Sequence, residues 1–384
     1  MTAADLLREL IRIPSVNPDG DPGTTRTGEK DCANFVAEFL RFCDAEASVE
    51  DVLPGRPNVL GRFPSHGKPK PRLLLAPHTD TVSVAGMTID PFSADLRDGK
   101  VWGRGATDTK GSMAAMLVAL RECRDILPGL SHEIWFAGLM GEEAGQQGAK
   151  ALAARERFDF AIVGEPTQLQ IVHTHKGEVW LTLRARGRAA HGSMPQNGEN
   201  AIEKMMDTLE ILRRELRDDF ASQWDETLGA PTCNIGIIQG GSKINIVPDL
   251  CEARVDIRTI PGQHLSPFLD SLAKRFPDLE IGRRISSPLW TDPAHPLVGT
   301  LESCGSHCAG APWFCDAALL SAAGTPAVAL GPGSIEQAHT ADEWISVADL
   351  EAGVAFFRRF LQSLKQPVGL GMKSEFEARK IPEK

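Results

Sequence analysis

The chain has 384 residues, of which 42% are hydrophobic and 24% are charged, a composition typical of a globular protein with two or three domains. Its formal net charge of −10 makes nucleic acid and anionic membranes poor partners, because an acidic surface repels phosphate. The eight cysteines form no C-x-x-C pair, and Asp5, Arg8 and Glu9 stand where a signal peptide would be apolar. We therefore expect a reduced, cytoplasmic protein.

Helix-periodic stretches alternate with short apolar runs along much of the chain. The pattern predicts helices over 3–13, 29–42, 112–123 and 144–155, and strands over 73–76, 134–139, 160–163 and 326–330. Apolar runs of this length, bounded by Gly and Pro, are typical of strands that are buried on both faces of a parallel sheet. The fold class predicted for this part is α/β with a mostly parallel sheet.

The middle of the chain has a different pattern, which predicts a separate unit. Strand, helix, strand, strand, helix and strand follow one another over 177–186, 200–216, 234–238, 250–258, 265–276 and 279–284. That order is the ferredoxin-like, split βαβ arrangement. We predict a catalytic domain in two parts, 1–174 and 288–384, with an inserted lid domain over 175–287. The charged end of the chain, 373–384, is expected to fray.

Histidines and acids follow the predicted strands, directly for His78, Glu142, Glu143 and Glu165 and after a short loop for His339. An H-E-x-x-H motif, a nucleophile elbow and a phosphate-binding P-loop do not occur. The carboxyl ends of parallel strands meet at one edge of a sheet, where ligands bind. The side chains expected at this edge are His78, Glu142, Glu143, Glu165 and His339, with Asp108 just before a predicted helix.

Five of these residues have the types needed for a two-metal site. If Asp108 bridges, one metal has His78, Asp108 and Glu165, and the other has His339, Asp108 and Glu143. Three protein ligands with one open position is the arrangement of catalytic zinc. Nitrogen and oxygen ligands suit Zn²⁺, with Co²⁺ or Mn²⁺ as substitutes. We therefore predict two Zn²⁺ ions in each subunit.

Two further acids have predicted roles beside the metals. Asp80 lies two residues from His78, so its carboxylate could accept the second N–H of the imidazole and fix its tautomer. Glu142 precedes the ligand Glu143 and would face a water between the metals as a general base.

Several motifs in one order resemble a known family. They are HTD at 78–80, GRGATDTKGSMAAML from 103, GEEAG at 141–145, GEPT at 164–167, GRAAHGSMP at 187–195 and AHTADEW at 338–344. The sequence is similar to the dinuclear-zinc amidohydrolases, which include acetylornithine deacetylase, succinyl-diaminopimelate desuccinylase, glutamate carboxypeptidase and aminoacylase. The resemblance implies the same metal and base roles, dimerisation through the lid, and cleavage of an amide beside a carboxylate.

The resemblance also implies roles for residues that the pattern alone did not single out. His191 matches a lid histidine that reaches the partner subunit's site and stabilises the oxyanion. Asn245 and Arg258 match lid positions that contact the substrate, and a bidentate arginine suits a carboxylate. Gly331 and Gly333 resemble a loop whose N–H groups cradle that carboxylate.

The sequence favours an acetylornithine deacetylase-like enzyme acting on an N-acyl amino acid, because GPGSIEQAHTADEW resembles those enzymes more than the desuccinylases. A related cluster of deacylases also carries HKGEVWL-like and HGSMP segments, so the acyl group stays open. A succinyl-diaminopimelate desuccinylase-like activity is an alternative, although the serine and arginine of its G-T-S-D-A-R segment are missing from WFCDAA at 313–318. A dipeptidase or carboxypeptidase acting on short peptides is another alternative, since the same metal centre cleaves both bonds. A non-catalytic binding protein is disfavoured because no metal ligand or base candidate is missing.

Overall fold

The computed structural model describes residues 1–365, so the predicted charged tail at 373–384 lies outside the described residues. The strands are β1 Glu46–Leu53, β2 Arg56–Phe63, β3 Arg72–Pro77, β4 Asp95–Arg97, β5 Lys100–Trp102, β6 Glu133–Gly138, β7 Phe160–Gly164, β8 Ile171–His175, β9 Gly177–Arg186, β10 Thr232–Gly240, β11 Leu250–Thr259, β12 Leu279–Ser286, β13 Leu289–Trp290, β14 Cys308–Ala311, β15 Ala327–Ala329 and β16 Trp344–Ser346. The helices are α1 Ala3–Arg12, α2 Lys30–Phe42, α3 Lys110–Cys123, α4 Gln147–Arg155, α5 Ala201–Phe220, α6 Ser266–Arg275, α7 Pro296–Ser303, α8 Ala317–Ala322 and α9 Val347–Ser363. Over the same residues, none of these helices combines the length and apolar character needed to cross a bilayer.

A nine-stranded sheet forms the core of the larger part, in the order β1-β2-β6-β3-β7-β15-β8-β13, with β14 also paired to β8. The central strands β6, β3, β7 and β15 are parallel, and antiparallel pairs lie towards both ends. Along β3, Leu73 and Leu75 pack against α1, α3 and α9, whereas Leu74 and Ala76 pack on the other face against α4 and α8. Both faces are therefore covered, which confirms the predicted α/β class.

The inserted unit is a four-stranded antiparallel sheet in the order β10-β11-β9-β12, covered by α5 and α6. Every second residue of β9, from Val179 to Ala185, is buried against these helices, as the alternating sequence predicts. The element order is the split βαβ order predicted from the sequence. The boundaries at 175 and 287 stay a prediction.

The structure differs from the sequence prediction at one helix that matters for the site. Helix α4 begins at Gln147, not at Ala144. Gly145 (φ +90°) and Gln146 (φ +49°) both have left-handed backbone conformations, so 141–146 forms a turn instead of a first helical turn. Strands β1 and β2 were not predicted, because their charged residues mask the alternation.

Helix α3 is fixed at its first residue by a buried lysine. Lys110 is 1% exposed, and its Nζ donates to the carbonyl oxygens of Leu10 at 2.9 Å and Ile13 at 2.8 Å. These carbonyls lie at the end of α1, where helical C=O groups lack partners within the helix. Lys110 thereby joins α1 to the loop that carries Asp108.

Replacing this lysine is predicted to destabilise the metal-free protein. Lys110→Met leaves the Ile13 carbonyl without its donor and the Leu10 carbonyl with the Ile13 N–H at 3.3 Å only, so we expect a loss of about 1–3 kcal/mol in the free energy of unfolding, measured by urea denaturation. The control is Lys70→Met, because Lys70 is half-buried and donates to one carbonyl, that of Pro128. Equal stability of the two variants would contradict the role of Lys110.

Candidate metal centre

The predicted ligands come from different elements but meet at one edge of the large sheet. His78 directly follows β3 and Glu165 directly follows β7, and these two strands are parallel neighbours. Asp108 lies two residues before α3, and Glu143 is in the turn before α4. His339 lies in the loop between β15 and β16, in a left-handed conformation with φ +62°.

Two groups of three side chains share Asp108. His78 Nε2 lies 3.0 Å from Asp108 Oδ1, and a carboxylate oxygen of Glu165 completes a group whose ligand atoms are within 4.8 Å of one another. His339 Nε2 lies 3.3 Å from Asp108 Oδ2 and 3.1 Å from Glu143 Oε2, which forms the second such group. The structure therefore brings together the two sets of three that the sequence grouped, with one Asp108 oxygen turned to each.

The donor atoms fit divalent cations. Glu143 and Glu165 each keep a buried oxygen, Oε1, that has no hydrogen-bond partner among residues 1–365. Burial and the charge of Asp108 raise the pKa of Glu143 to about 7, and the same two causes raise the pKa of Glu165 well above its usual value. A cation would bind the free oxygens and offset the crowded negative charge, and nitrogen and oxygen donors suit Zn²⁺, Co²⁺ or Mn²⁺.

Glu142 lines the same cavity as Asp108, Glu143, Glu165 and His339. Burial raises its pKa well above the usual range, and the negative charge of Asp316 adds to that effect. A carboxyl group in such a place holds a proton more readily than one in water, which suits a group that accepts a proton and then donates it.

Asp80 fixes both His78 and the turn that carries Glu142. His78 Nδ1 lies 2.9 Å from the main-chain carbonyl of Asp80 and 3.6 Å from its carboxylate, so the carbonyl is the nearer acceptor for the ring N–H. The carboxylate accepts the main-chain N–H of Glu142 at 3.0 Å and of Glu143 at 3.1 Å, and the side-chain amide of Asn17 at 2.8 Å. The sequence predicted that the Asp80 carboxylate would accept the ring N–H, whereas the carbonyl of the same residue takes that place and the carboxylate is engaged by main-chain N–H groups that were not predicted.

Glu343 was missed by the sequence reasoning although it lies in the AHTADEW motif. It is fully buried and accepts the main-chain N–H of Gly105, Thr107 and Asp108 at 2.9–3.0 Å. Arg104 donates to the same carboxylate at 2.8 Å. Glu343 therefore holds the loop that presents Asp108. The signal in the sequence that could have indicated this role was an acid four residues after the candidate ligand His339.

A cavity of about 570 Å³ lies over these residues, between the large sheet and the lid sheet. Arg258 lines it, and its contact with a substrate stays a prediction. The other lid residues in its wall, which the sequence did not single out, are Glu178, Trp180 and Arg284. The wall from the larger part includes Arg56, Gln146, Trp313 and Phe314. The lid therefore supplies part of the wall opposite the candidate ligands.

Six of the predicted site residues, all within the described part of the chain, do not line this cavity: His78 and Asp80, which are buried, and His191, Asn245, Gly331 and Gly333. His191 and Asn245 are exposed neighbours on the lid, joined through the hydrogen bond from the Gly192 N–H to the Asn245 carbonyl. The N–H of Gly331 donates to the Thr167 hydroxyl, and a side chain at 331 would collide with the main chain of Glu165. Contact of Gly331 or Gly333 with a substrate carboxylate stays a prediction.

Comparisons with known proteins agree with this geometry. The family model described as peptidase family M20/M25/M40 matches residues 74–363. The chain is 33% identical over 370 residues to an acetylornithine deacetylase of Proteus mirabilis (strain HI4320), covering 91% of this chain and 93% of the relative. It is 32% identical over 364 residues to an acetylornithine deacetylase of Photorhabdus laumondii subsp. laumondii, covering 90% and 92%.

Among solved structures, the M20 family metallo-carboxypeptidase Sso-CP2 of Sulfolobus solfataricus has the same fold. It superposes with a TM-score of 0.76 at 20% identity, covering 94% of this chain and 98% of that one. The chain belongs to peptidase family M20/M25/M40 and is a metal-dependent amidohydrolase.

Proposed function

We propose that this enzyme removes the acyl group from an N-acyl amino acid, with N-acetylornithine as its best substrate. The observation that carries the proposal is the pair of ligand groups sharing Asp108 beside Glu142 in one cavity. The substrate follows from the relatives, which are named acetylornithine deacetylases and cover nine-tenths of the chain.

His78, Asp108 and Glu165 would hold one divalent ion, and His339, Asp108 and Glu143 a second. We propose Zn²⁺ at both positions, with Co²⁺ or Mn²⁺ able to substitute. When bound, such ions polarise an amide carbonyl and make water acidic enough to attack at neutral pH.

Glu142 is proposed as the general base. It takes a proton from the attacking water and then passes it to the leaving amine nitrogen, so one carboxyl group serves both halves of the reaction. Asp80 keeps Glu142 in place through the N–H groups of 142 and 143. Arg258, whose side chain is about one-quarter exposed in the cavity wall, is proposed to bind the carboxylate of the substrate.

We propose that the enzyme is a homodimer formed through the lid. His191 is exposed and lies outside the cavity of its own chain, although a role at the oxyanion requires it to touch the reacting carbonyl. A second copy could bring its His191 and Asn245 to this site, and this chain's residues would complete the partner's site.

The proposed substrate is tested with a panel of N-acetyl, N-succinyl, N-formyl and N-carbamoyl amino acids, together with dipeptides. We expect the highest kcat/KM for N-acetylornithine, loss of activity with a chelator, and recovery with added Zn²⁺ or Co²⁺. A higher kcat/KM for dipeptides would replace the deacylase proposal by a peptidase, and activity that survives complete metal removal would contradict both.

The base and ligand roles are separated by two isosteric variants. Glu142→Gln should lower kcat by about 10²–10⁴-fold while two metal ions stay bound, because only proton transfer is lost. Asp108→Asn should lower the metal content of both positions, measured by elemental analysis after gel filtration. Glu351→Gln, on the exposed side of α9, is the control for an acid-to-amide change. Near-native turnover of Glu142→Gln would rule out Glu142 as the general base.

The role of His191 across the dimer is tested by mixing two inactive variants. A dimer of one Glu142→Gln chain and one His191→Ala chain has one intact site only if His191 acts on the partner. Random exchange should therefore restore about one-quarter of the wild-type activity, because half of the dimers are mixed and each has one good site. If His191 acted within its own chain, mixing would restore nothing. Light scattering on the same samples measures the oligomeric state.

A further inference from the structure

One hydrogen-bonded chain connects the lid to the turn at 141–146, here called the catalytic turn. Arg284 on β12 donates from Nη2 to Gln146 Oε1 at 2.6 Å. Gln146 Nε2 in turn donates to the main-chain carbonyl of Glu142 at 3.0 Å. Among the described side-chain hydrogen bonds, only two join residues 177–286 to the rest of the chain. One is the bond from Arg284 to Gln146, and the other is the bond from Lys176 to the Ala230 carbonyl.

The two linked side chains are each held in place by their surroundings. Gln146 is 6% exposed, and its N–H donates to the Gly141 carbonyl at 2.7 Å, which closes the catalytic turn. Arg284 lies directly across the lid sheet from Trp180, with its guanidinium carbon 4.9 Å from the centre of that ring. Arg284 Nη2 also lies 3.4 Å from Glu178 Oε1, at an ion-pair distance without hydrogen-bond geometry.

The catalytic turn is consequently held from two sides. On the side of the large sheet, the Asp80 carboxylate accepts the main-chain N–H groups of Glu142 and Glu143. On the lid side, Arg284 donates to the amide oxygen of Gln146, and the amide nitrogen of Gln146 donates to the Glu142 carbonyl. If the lid moved away, the hydrogen bond from Arg284 to Gln146 would break. The Glu142 main chain would then be held only by Asp80 and by the turn itself.

We propose that Gln146 and Arg284 are positioning residues, a latch through which the lid sets the place of Glu142 for catalysis. The proposal deepens the proposed function, because it rests on Glu142 being the general base. Neither residue is required to touch the substrate. If the two side chains form such a latch, removing either one should lower kcat as much as removing both.

The test uses three variants of full-length enzyme. Gln146→Met and Arg284→Met keep the length of the side chains but remove the hydrogen bonds, and the double variant measures their coupling. The matched control is Arg283→Met, because the neighbouring Arg283 is paired with exposed Asp270 at 2.7 Å and does not line the cavity. Arg284→Lys, which keeps a donor, serves as the conservative rescue.

We expect each single variant to lower kcat by about tenfold with KM changed less than about threefold, since each breaks the hydrogen-bonded connection between the lid and the Glu142 carbonyl. The double variant should be no worse than the single ones, Arg284→Lys should recover part of kcat, and Arg283→Met should be unchanged. A rise in KM for Arg284→Met at constant kcat, with Gln146→Met unaffected, would instead make Arg284 a substrate-binding residue and overturn the latch.

A second readout does not depend on activity. In metal-free enzyme, hydrogen–deuterium exchange of a peptide covering 141–147 should be faster in both latch variants and unchanged in Arg283→Met. Unchanged exchange in the latch variants would overturn the proposal. If no substrate in the panel is hydrolysed, the proposed function fails, whereas the exchange experiment still decides whether the lid holds the catalytic turn.

Discussion

The site depends on the fixed orientation of one carboxylate. Asp108 turns Oδ1 to His78 and Oδ2 to His339, so a rotation of this side chain would separate the two ligand groups. Its main chain is held by Glu343, and the helix that begins two residues later is held by Lys110. Two buried charged residues that touch no candidate metal position thus determine whether a shared ligand is possible.

The second constraint is the crowding of acids in a place with little water. Glu142, Glu143, Glu165 and Asp316 all have raised pKa values with burial as the first cause. Within the part of the chain that the structure describes, neither buried oxygen of Asp316 has a hydrogen-bond partner. Such a cluster of acids is costly to fold with every member ionised. Cations bound by the folded protein would stabilise it by mass action, so metal affinity and fold stability are linked in this enzyme.

The sequence was sufficient for the residues whose position follows from topology. His78 and Glu165 each end an apolar run, and parallel strands must bring such ends together. Sequence patterns were insufficient where a role depends on main-chain hydrogen bonds between distant segments. Asp80 could be placed near His78 by its i, i+2 spacing, but its contacts with 142 and 143, over 60 residues away, have no local signal. Gln146 was missed for the same reason, since a predicted helix from Ala144 would have pointed it elsewhere.

The division of the cavity wall explains why the chemistry was easier to infer than the substrate. All five candidate ligands and the base lie outside 177–286, whereas Glu178, Trp180, Arg258 and Arg284 come from the lid sheet. Glu178 lies opposite Arg258 on β11, 3.5 Å from it and 3.4 Å from Arg284, and Arg258 also pairs with Asp256 at 3.0 Å. Two arginines on the wall that faces a cluster of acids favour a ligand with a carboxylate at one end and a metal-binding carbonyl at the other. Selectivity among such ligands then depends on how the lid strands sit over the large sheet, which no motif in the chain encodes.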